Sequence, residues 1–447
     1  MTLCMMHSYN IYKSLIAIAL VAASPLTATA QDNLDSFERF RFGGYGEMVA
    51  NFKNYDSNRF SGQPAGANNG SYANISIPRF NMAFDYKFTP KWVLGVEIEL
   101  EGGGVGVETE LEASENGEYE TEMEKGGEVA LEQLHVTRLI HPAFNVRAGH
   151  MIVPLGLTNS HHEPINFYGA ERPEGETTFL PSTWHETGLS IFGSFGRGCA
   201  AFNYEAMAIA GLNPDGFGRD HWVADGKQGL FEKDNFTCPA YAARLDWTGL
   251  KGLRLGVSGY FCPDPAKNSD KSNKYSRYTA EGKNTLGIMS ADLQYRNRYL
   301  TLRADAVYGT LAHSDVVSSV TMSNKSGYHS GAMRRVAHSA LTYGGELGLN
   351  LRAITGADRC PTLHPFVRYE YFNPQQSAEG SATVDPCCQV SKWQAGINWY
   401  ALPNLVVKAD YSTRRIGTQR VFGYSGSYNR ENELSVGLAY IGWFVKK

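Results

Sequence analysis

The chain has 447 residues, of which 43% are hydrophobic, 12% aromatic and 19% charged, with 47 Gly against 18 Pro. Its 25 Tyr, 22 Phe and 7 Trp exclude low-hydrophobicity disorder, and no glycine period or heptad series supports collagen or a coiled coil. Lys and Arg total 41 against 45 Asp and Glu, a formal charge of −4, so no global basic field recruits nucleic acid.

The first element is an apolar run from Leu15 to Ala23, preceded by Lys13 and followed by Ala28-Thr29-Ala30. It is too short for a membrane helix of about 20 residues and has the basic, apolar and small-residue order of a signal peptide, read here as residues 1–30. From residue 31 onward the chain alternates at period two. Phe80, Met82, Phe84, Tyr86 and Phe88 alternate with Arg79, Asn81, Asp85 and Lys87, and after Thr89-Pro90-Lys91 the series resumes as Trp92, Leu94, Val96, Ile98 and Leu100 against Glu97, Glu99 and Glu101. This is the signal of half-buried strands, and no segment carries a convincing 3.6-residue period. The alternation predicts sixteen strands: 39–52, 76–88, 92–101, 128–139, 144–150, 188–195, 200–210, 240–247, 253–261, 285–296, 299–309, 341–352, 362–372, 391–400, 405–412 and 432–444. Of these, 128–139 alternates poorly.

Connections between these strands are short and long in turn. Short ones include 89–91, 140–143, 196–199, 248–252, 297–298 and 401–404; long ones include 53–75, 102–127, 151–187, 211–239 and 310–340. One trimmed rim and one elaborate rim describe an all-β transmembrane antiparallel barrel, because only a closed sheet pairs every backbone group in lipid. Aromatics gather at strand ends, at Tyr86, Phe88, Trp92, Trp247, Trp399, Tyr400, Tyr440, Trp443 and Phe444, where interfacial girdles sit. A soluble sandwich would pack about seven strands into 100 residues, far more densely than this chain does.

Sixteen strands enclose a water-filled lumen, and the inward positions are polar: Arg41, Arg79, Arg147, Arg244, Arg254, Arg303, Arg368 and Lys408 interleave with Glu47, Asp85, Glu97, Glu99, Glu205, Asp246, Asp292, Asp305, Glu346, Glu370 and Asp410. The long connection 151–187 holds Pro154, Pro164, Pro173 and Pro181 with Phe167, Tyr168, Phe179 and Trp184, so it is stiff and must pack on something. Folded into the lumen it would border a constriction with Glu171, Arg172, Glu174 and Glu176, while Arg147, Arg79 and Arg41 are wall positions able to attract anions. His161, His162, Glu163 and His185 suit a metal by type, but their irregular spacing reads as hydrogen-bonded histidines in a packed loop, with no metal. Of the seven cysteines, Cys4 lies in the leader, and Cys238 and Cys262 fall at one rim on neighbouring strands, where they could be joined.

The runs Arg147-Ala148-Gly149-His150, Val153-Pro154-Leu155-Gly156, His162-Glu163-Pro164, Glu171-Arg172-Pro173 and Pro181-Ser182-Thr183-Trp184 resemble the phosphate-selective porin O and P family in its Bacteroidetes form. Phe42-Gly43-Gly44-Tyr45-Gly46-Glu47 and the pair Glu132-Gln133 are similar too. The resemblance implies a sixteen-stranded outer-membrane porin, a homotrimer in outer-membrane lipid, with an inward third loop and passage of small hydrophilic solutes or ions. It also implies an arginine ladder and lysine cluster for phosphate. The mixed inward charges depart from that, as does the stretch from Glu97 to Glu128, with twelve Glu against Lys125, which would repel an anion. No Gly-x-Ser-x-Gly elbow, His-Glu-x-x-His pair or phosphate loop points to an enzyme, and no cofactor motif is present. The rival readings are a non-conducting barrel with adhesive or structural loops and a barrel hydrolase.

Overall fold

The alternating segments fold as strands of one antiparallel barrel closed between its first and last strands. The structure is a computed structural model and describes residues 39–55, 71–102, 107–113, 119–125, 128–228, 234–269, 275–322, 336–357, 360–380, 382–417 and 428–446. The expected leader lies outside the described residues.

In chain order the strands are β1 (Phe40–Tyr55), β2 (Ser71–Ser76), β3 (Arg79–Thr89), β4 (Trp92–Glu101), β5 (Val107–Ala113), β6 (Tyr119–Lys125), β7 (Glu128–His141), β8 (Phe144–Ile152), β9 (His185–Phe195) and β10 (Phe202–Ile209). They continue as β11 (Ala240–Leu250), β12 (Leu253–Cys262), β13 (Leu286–Arg296), β14 (Leu300–Leu311), β15 (Ser339–Leu349), β16 (Thr362–Ser377), β17 (Val390–Leu402), β18 (Leu405–Gly417) and β19 (Tyr428–Lys446). Both β2 and β3 pair with β1, forming one stave interrupted at Ile77-Pro78, where proline has no N–H to offer the ladder. The wall therefore has sixteen staves, with β1 paired to β19 from Arg41↔Lys446 to Tyr55↔Glu431.

Side chains sort by face as the alternation requires. On β17, Trp393, Ile397 and Trp399 are exposed on the outside while Lys392, Gln394 and Asn398 are buried inside; on β14, Leu302 and Tyr308 face out and Arg303 faces in. An apolar exterior over a charged interior inverts the soluble pattern and suits a hydrocarbon surround.

Three expectations are corrected. The connection 102–127, read as a long connection without strands, holds β5 and β6 paired as a hairpin, and the alternation of Val107, Thr109 and Leu111 with Glu108, Glu110 and Glu112 was there to be read. Among the described residues the connections also hold short helices, α1 (Leu157–Ser160), α2 (Glu174–Phe179), α3 (Tyr275–Tyr278), α4 (Ser314–Met322) and α5 (Leu351–Thr355), too short to show a period and stabilised by packing rather than propensity. Cys238 and Cys262 are free, as are Cys199, Cys360, Cys387 and Cys388. The poor alternation at 128–139 also has a cause. Between the pairs Glu97↔Gln133 and Ile98↔Leu131 the register slips, leaving Glu132 as the extra residue of a bulge.

An apolar cluster sits at the elaborate rim. Met151, Val153, Leu155, Phe179, Leu180 and Trp184 of the long connection and its flank pack with Leu212, Phe217 and Trp222 of the next one and with inward ends of strands such as Ile209, Tyr260, Ile288 and Val307. Burial of Trp, Phe and Leu side chains contributes about 1.5–3 kcal/mol each.

Candidate functional site

The connection between β8 and β9, residues 153–184, is closed on itself before it meets the wall. Val153 N–H donates to the Trp184 carbonyl at 2.9 Å, and Asn159 ties both ends, donating to the Val153 carbonyl at 2.8 Å and accepting from Trp184 N–H at 2.5 Å. The turn into α1 is made at Gly156, whose φ of 79° and tight fit against the Glu176 carboxylate leave no space for a Cβ. Glu176, buried, accepts the N–H groups of Leu157 at 2.9 Å, Thr158 at 3.1 Å and Asn159 at 2.6 Å, so α2 caps α1 through one carboxylate.

The outer surface of this connection then bonds to the polar face of strands on many sides of the ring. Lys408 of β18 donates to the carbonyls of Pro164, Phe167 and Gly169, with 2.8 Å to each of the last two. Ala170 N–H donates to Asp410 at 2.7 Å, Tyr168 N–H to Glu346 of β15 at 3.3 Å and Gly175 N–H to Glu370 of β16 at 3.2 Å. Arg244 of β11 donates to the Gly156 carbonyl at 3.2 Å, Arg79 of β3 to the His162 carbonyl at 3.1 Å, and Arg303 of β14 to the Asn166 carbonyl. Tyr168 stacks on Phe366, its ring centroid 5.4 Å away, over Gly348, where a Cβ would meet the ring.

Each expected site residue now has a place. Glu171 accepts from Asn51 of β1 at 2.5 Å, and Arg172 donates to Ser182 at 2.5 Å. Glu174 takes Lys392 of β17 at 3.2 Å and Arg414 of β18, which also holds Glu431 at 2.6 Å. Glu176 turns into the loop and braces it. Arg79 pairs with Glu47 at 2.8 Å; Arg147 reaches Glu205 at 3.4 Å and lies 4.6 Å over the Phe192 ring; Arg41 pairs with Asp85 and sits 4.3 Å over Trp443. The structure thus brings Glu171 and Glu174 to the polar wall, with Arg147 and Arg41 in separate ion pairs.

The four histidine and glutamate residues of the loop do not converge on one point. His161 takes Arg254 at 2.6 Å, Glu163 takes Asn166 at 2.7 Å, and His185 lies between His150 and Lys227. Burial, then Arg254 and Arg244, hold the His161 imidazole neutral, while burial pushes the Glu163 carboxyl up to about 8. His162 reaches toward β7 instead: its Nε2 lies 3.2 Å from Glu132 Oε1, and Glu97 completes a cluster whose ligand-type atoms are all within 4.8 Å of one another. Sequence reading missed this grouping, and it missed Lys392 and Arg414 as loop partners. Lys392 was visible as the inward neighbour of Trp393, whereas Arg414 lies on the part of β18 beyond residue 412, where alternation gives way to Thr413-Arg414-Arg415.

No family model matches the chain. An uncharacterized protein of Aquifex aeolicus is 24% identical over 372 residues, covering 83% of this chain and 74% of that protein. Among solved structures, the chain is similar to the outer membrane channel DcaP of Acinetobacter baumannii, with 12% identity, 90% of this chain and 97% of that one covered, and a TM-score of 0.52. Salmonella typhi OmpF, solved with daunomycin, matches at 11% identity over 91% of this chain and 98% of its own, with a TM-score of 0.52. Pseudomonas putida OprB matches at 9% over 90% and 94%, with a TM-score of 0.50. At these identities the likeness is one of fold, a closed antiparallel β-barrel.

Proposed function

We propose that this chain is an outer-membrane porin through which small hydrophilic solutes or ions diffuse passively, exported by a cleaved leader over residues 1–30. The observation that carries the reading is the inverted wall, apolar outside and charged inside around the ring. Support comes also from the 153–184 connection, whose bonds to β1, β3, β11 and β14–β18 fit our reading of a segment that lies within the lumen and narrows it. On this reading Glu171, Arg172 and Glu174 border the constriction and Glu176 sets its shape. Arg79, Arg147 and Arg41 act as charged wall positions engaged with carboxylates.

Pairing bears on selectivity. Arg79, Arg147, Arg244, Arg303, Arg368, Lys392 and Arg414 each meet a carboxylate, so the wall offers mixed charge rather than the bare arginine ladder of a phosphate pore. We therefore favour a weakly selective pore over a phosphate-specific one, and a homotrimer as its assembly, a matter for crosslinking. The apolar cluster at the rim favours a second reading, a non-conducting barrel whose loops bind a surface. Single-channel conductance and reversal potential in planar bilayers under a salt gradient, with and without phosphate, decide among these. Conductance insensitive to phosphate is expected; block by millimolar phosphate would restore the anion-specific reading, and no conductance would favour the closed barrel.

A further inference from the structure

We infer that Glu97, Glu132 and His162 form a site for one divalent transition-metal ion of the zinc class, joining the 153–184 connection to β4 and β7. The argument starts from hydrogen-bond polarity. His162 Nδ1 lies 3.0 Å from the Asn159 carbonyl oxygen, which can only accept, so Nδ1 carries the hydrogen and Nε2 of the neutral ring is a bare lone pair. That lone pair faces Glu132 Oε1 at 3.2 Å, with side-chain exposures of 5% and 0%, and neither atom has a donor in full hydrogen-bond geometry, the Thr183 hydroxyl being the nearby donor to the Glu132 carboxylate. Two acceptors face each other in a dry site, an arrangement that a cation between them turns from repulsive to attractive.

The other atoms of the ligands are held in the way metal ligands are held. Glu132 Oε2 accepts from Asn81 Nδ2 at 2.5 Å, Glu97 Oε2 accepts from Gln133 Nε2 at 2.6 Å, and the His162 ring is fixed through its Nδ1–H. The β-bulge at Glu132 is what aims it: the extra residue lets Glu132 and Gln133 both work on the inner side, one as ligand and one as orienter. Ligand atoms about 2.1 Å from a tetrahedral ion lie about 3.4 Å apart, close to the 3.2 Å between His162 Nε2 and Glu132 Oε1, so Glu97 is the group that would move in. Charge agrees. Arg79 is already paired with Glu47 at 2.8 Å, and Glu99, two residues from Glu97 on β4, adds a buried oxygen without a hydrogen-bond partner, so that four carboxylates share the neighbourhood with Arg79, Arg172 and Lys227. One imidazole with two carboxylates suits zinc better than calcium or magnesium, which prefer all-oxygen shells.

The site rests on the fold and the docked loop, and its test does not read conductance. The full chain, refolded in detergent and stripped with chelator, is titrated with zinc chloride by calorimetry, with calcium as comparison, and the loaded protein is assayed for metal. One equivalent of zinc is expected. Glu132→Gln and His162→Gln should each weaken zinc at least about 100-fold, more than the loss of an orienting group costs, while His161→Gln leaves it unchanged. Heat-modifiable gel mobility shows which variants fold. If one does not, cobalt(II) loaded into the unaltered chain should give the intense visible bands of a four- or five-coordinate site. Absence of stoichiometric zinc would assign the facing atoms to a shared proton and overturn the proposal. So would equal binding by all variants, or a cobalt spectrum like that of the free aqua ion.

Discussion

Two arcs of the wall hold the same loop by opposite means. Along β11 to β18 the inner face supplies cations that grip the loop, several of them shared with a wall carboxylate: Arg303 between Glu346 and the Asn166 carbonyl, Arg414 between Glu431 and Glu174, and Lys408 among three loop carbonyls. Along β1 to β7 it supplies carboxylates, Glu47, Glu97, Glu99 and Glu132, with Arg79 paired among them and several buried oxygens left without donors. A buried charge is tolerated when its bonds are complete and costly when they are not. Neither arc is complete, since Arg303 and Glu370 on the basic side also keep buried atoms without partners, but the basic arc holds the loop through paired cations whereas the acidic arc faces it with carboxylates, and there the proposed metal ion would add the missing charge.

Breaking the basic arc should have the largest effect. Lys408→Met leaves the carbonyls of Pro164, Phe167 and Gly169 without their shared donor, a loss of about 3–5 kcal/mol by analogy with breaking buried charge pairs. We expect loop release, read as protease cleavage within 153–184 and a conductance at least about twice that of the unaltered chain.

Glu174→Gln comes next. Its carboxylate is partly exposed, so about 1–2 kcal/mol of docking is lost, but Lys392 and Arg414 both lose their loop carboxylate while Arg414 retains Glu431. The reversal potential should move toward anions and phosphate block should emerge. An unchanged potential would remove Glu174 from the constriction.

A third change sharpens the comparison through pH. Burial holds the Glu176 carboxyl up at about 7, against 4.5 for a free glutamate, partly offset by its three backbone donors. Between these values the docked loop keeps a proton that a released loop gives up, so docking weakens as pH rises through that window. Protease resistance of the loop should fall from pH 5 to 7 in the unaltered chain, and Glu176→Gln should flatten that slope. The smallest effect is expected at Arg41, which lies toward the short-turn rim with its side chain 21% exposed beside Asp85. Arg41→Ala should cost about 0.5–1 kcal/mol in thermal unfolding and leave selectivity unchanged.

The staves were legible in sequence because a barrel wall imposes one rule on every residue, and Trp393, Ile397 and Trp399 against Lys392, Gln394 and Asn398 obey it. Strand ends were not, since β18 runs to Gly417 on ladder bonds to β19 after its alternation has ended. The loop's stiffness was readable from its prolines, but not that Glu176 caps α1 or that His162 leaves its neighbours for Glu132. The first depends on contacts 17–19 residues apart within an irregular segment, and the second on a one-residue slip in β7. The slip itself left a trace, the failed alternation at Glu132-Gln133, which marked a bulge rather than a weak strand.

The seam between β1 and β19 sets the order of assembly. Its register runs along nearly the full length of β1, and its partners are as far apart in the chain as any pair in the wall. Closing so long a loop costs chain entropy that only the completed ladder repays. The barrel cannot close on a partial chain, and until β19 arrives β1 and its neighbours present open edges to whatever strand is nearby. Holding those edges apart during transit is a demand that the architecture places on its surroundings, and residues 428–446 are where that demand ends.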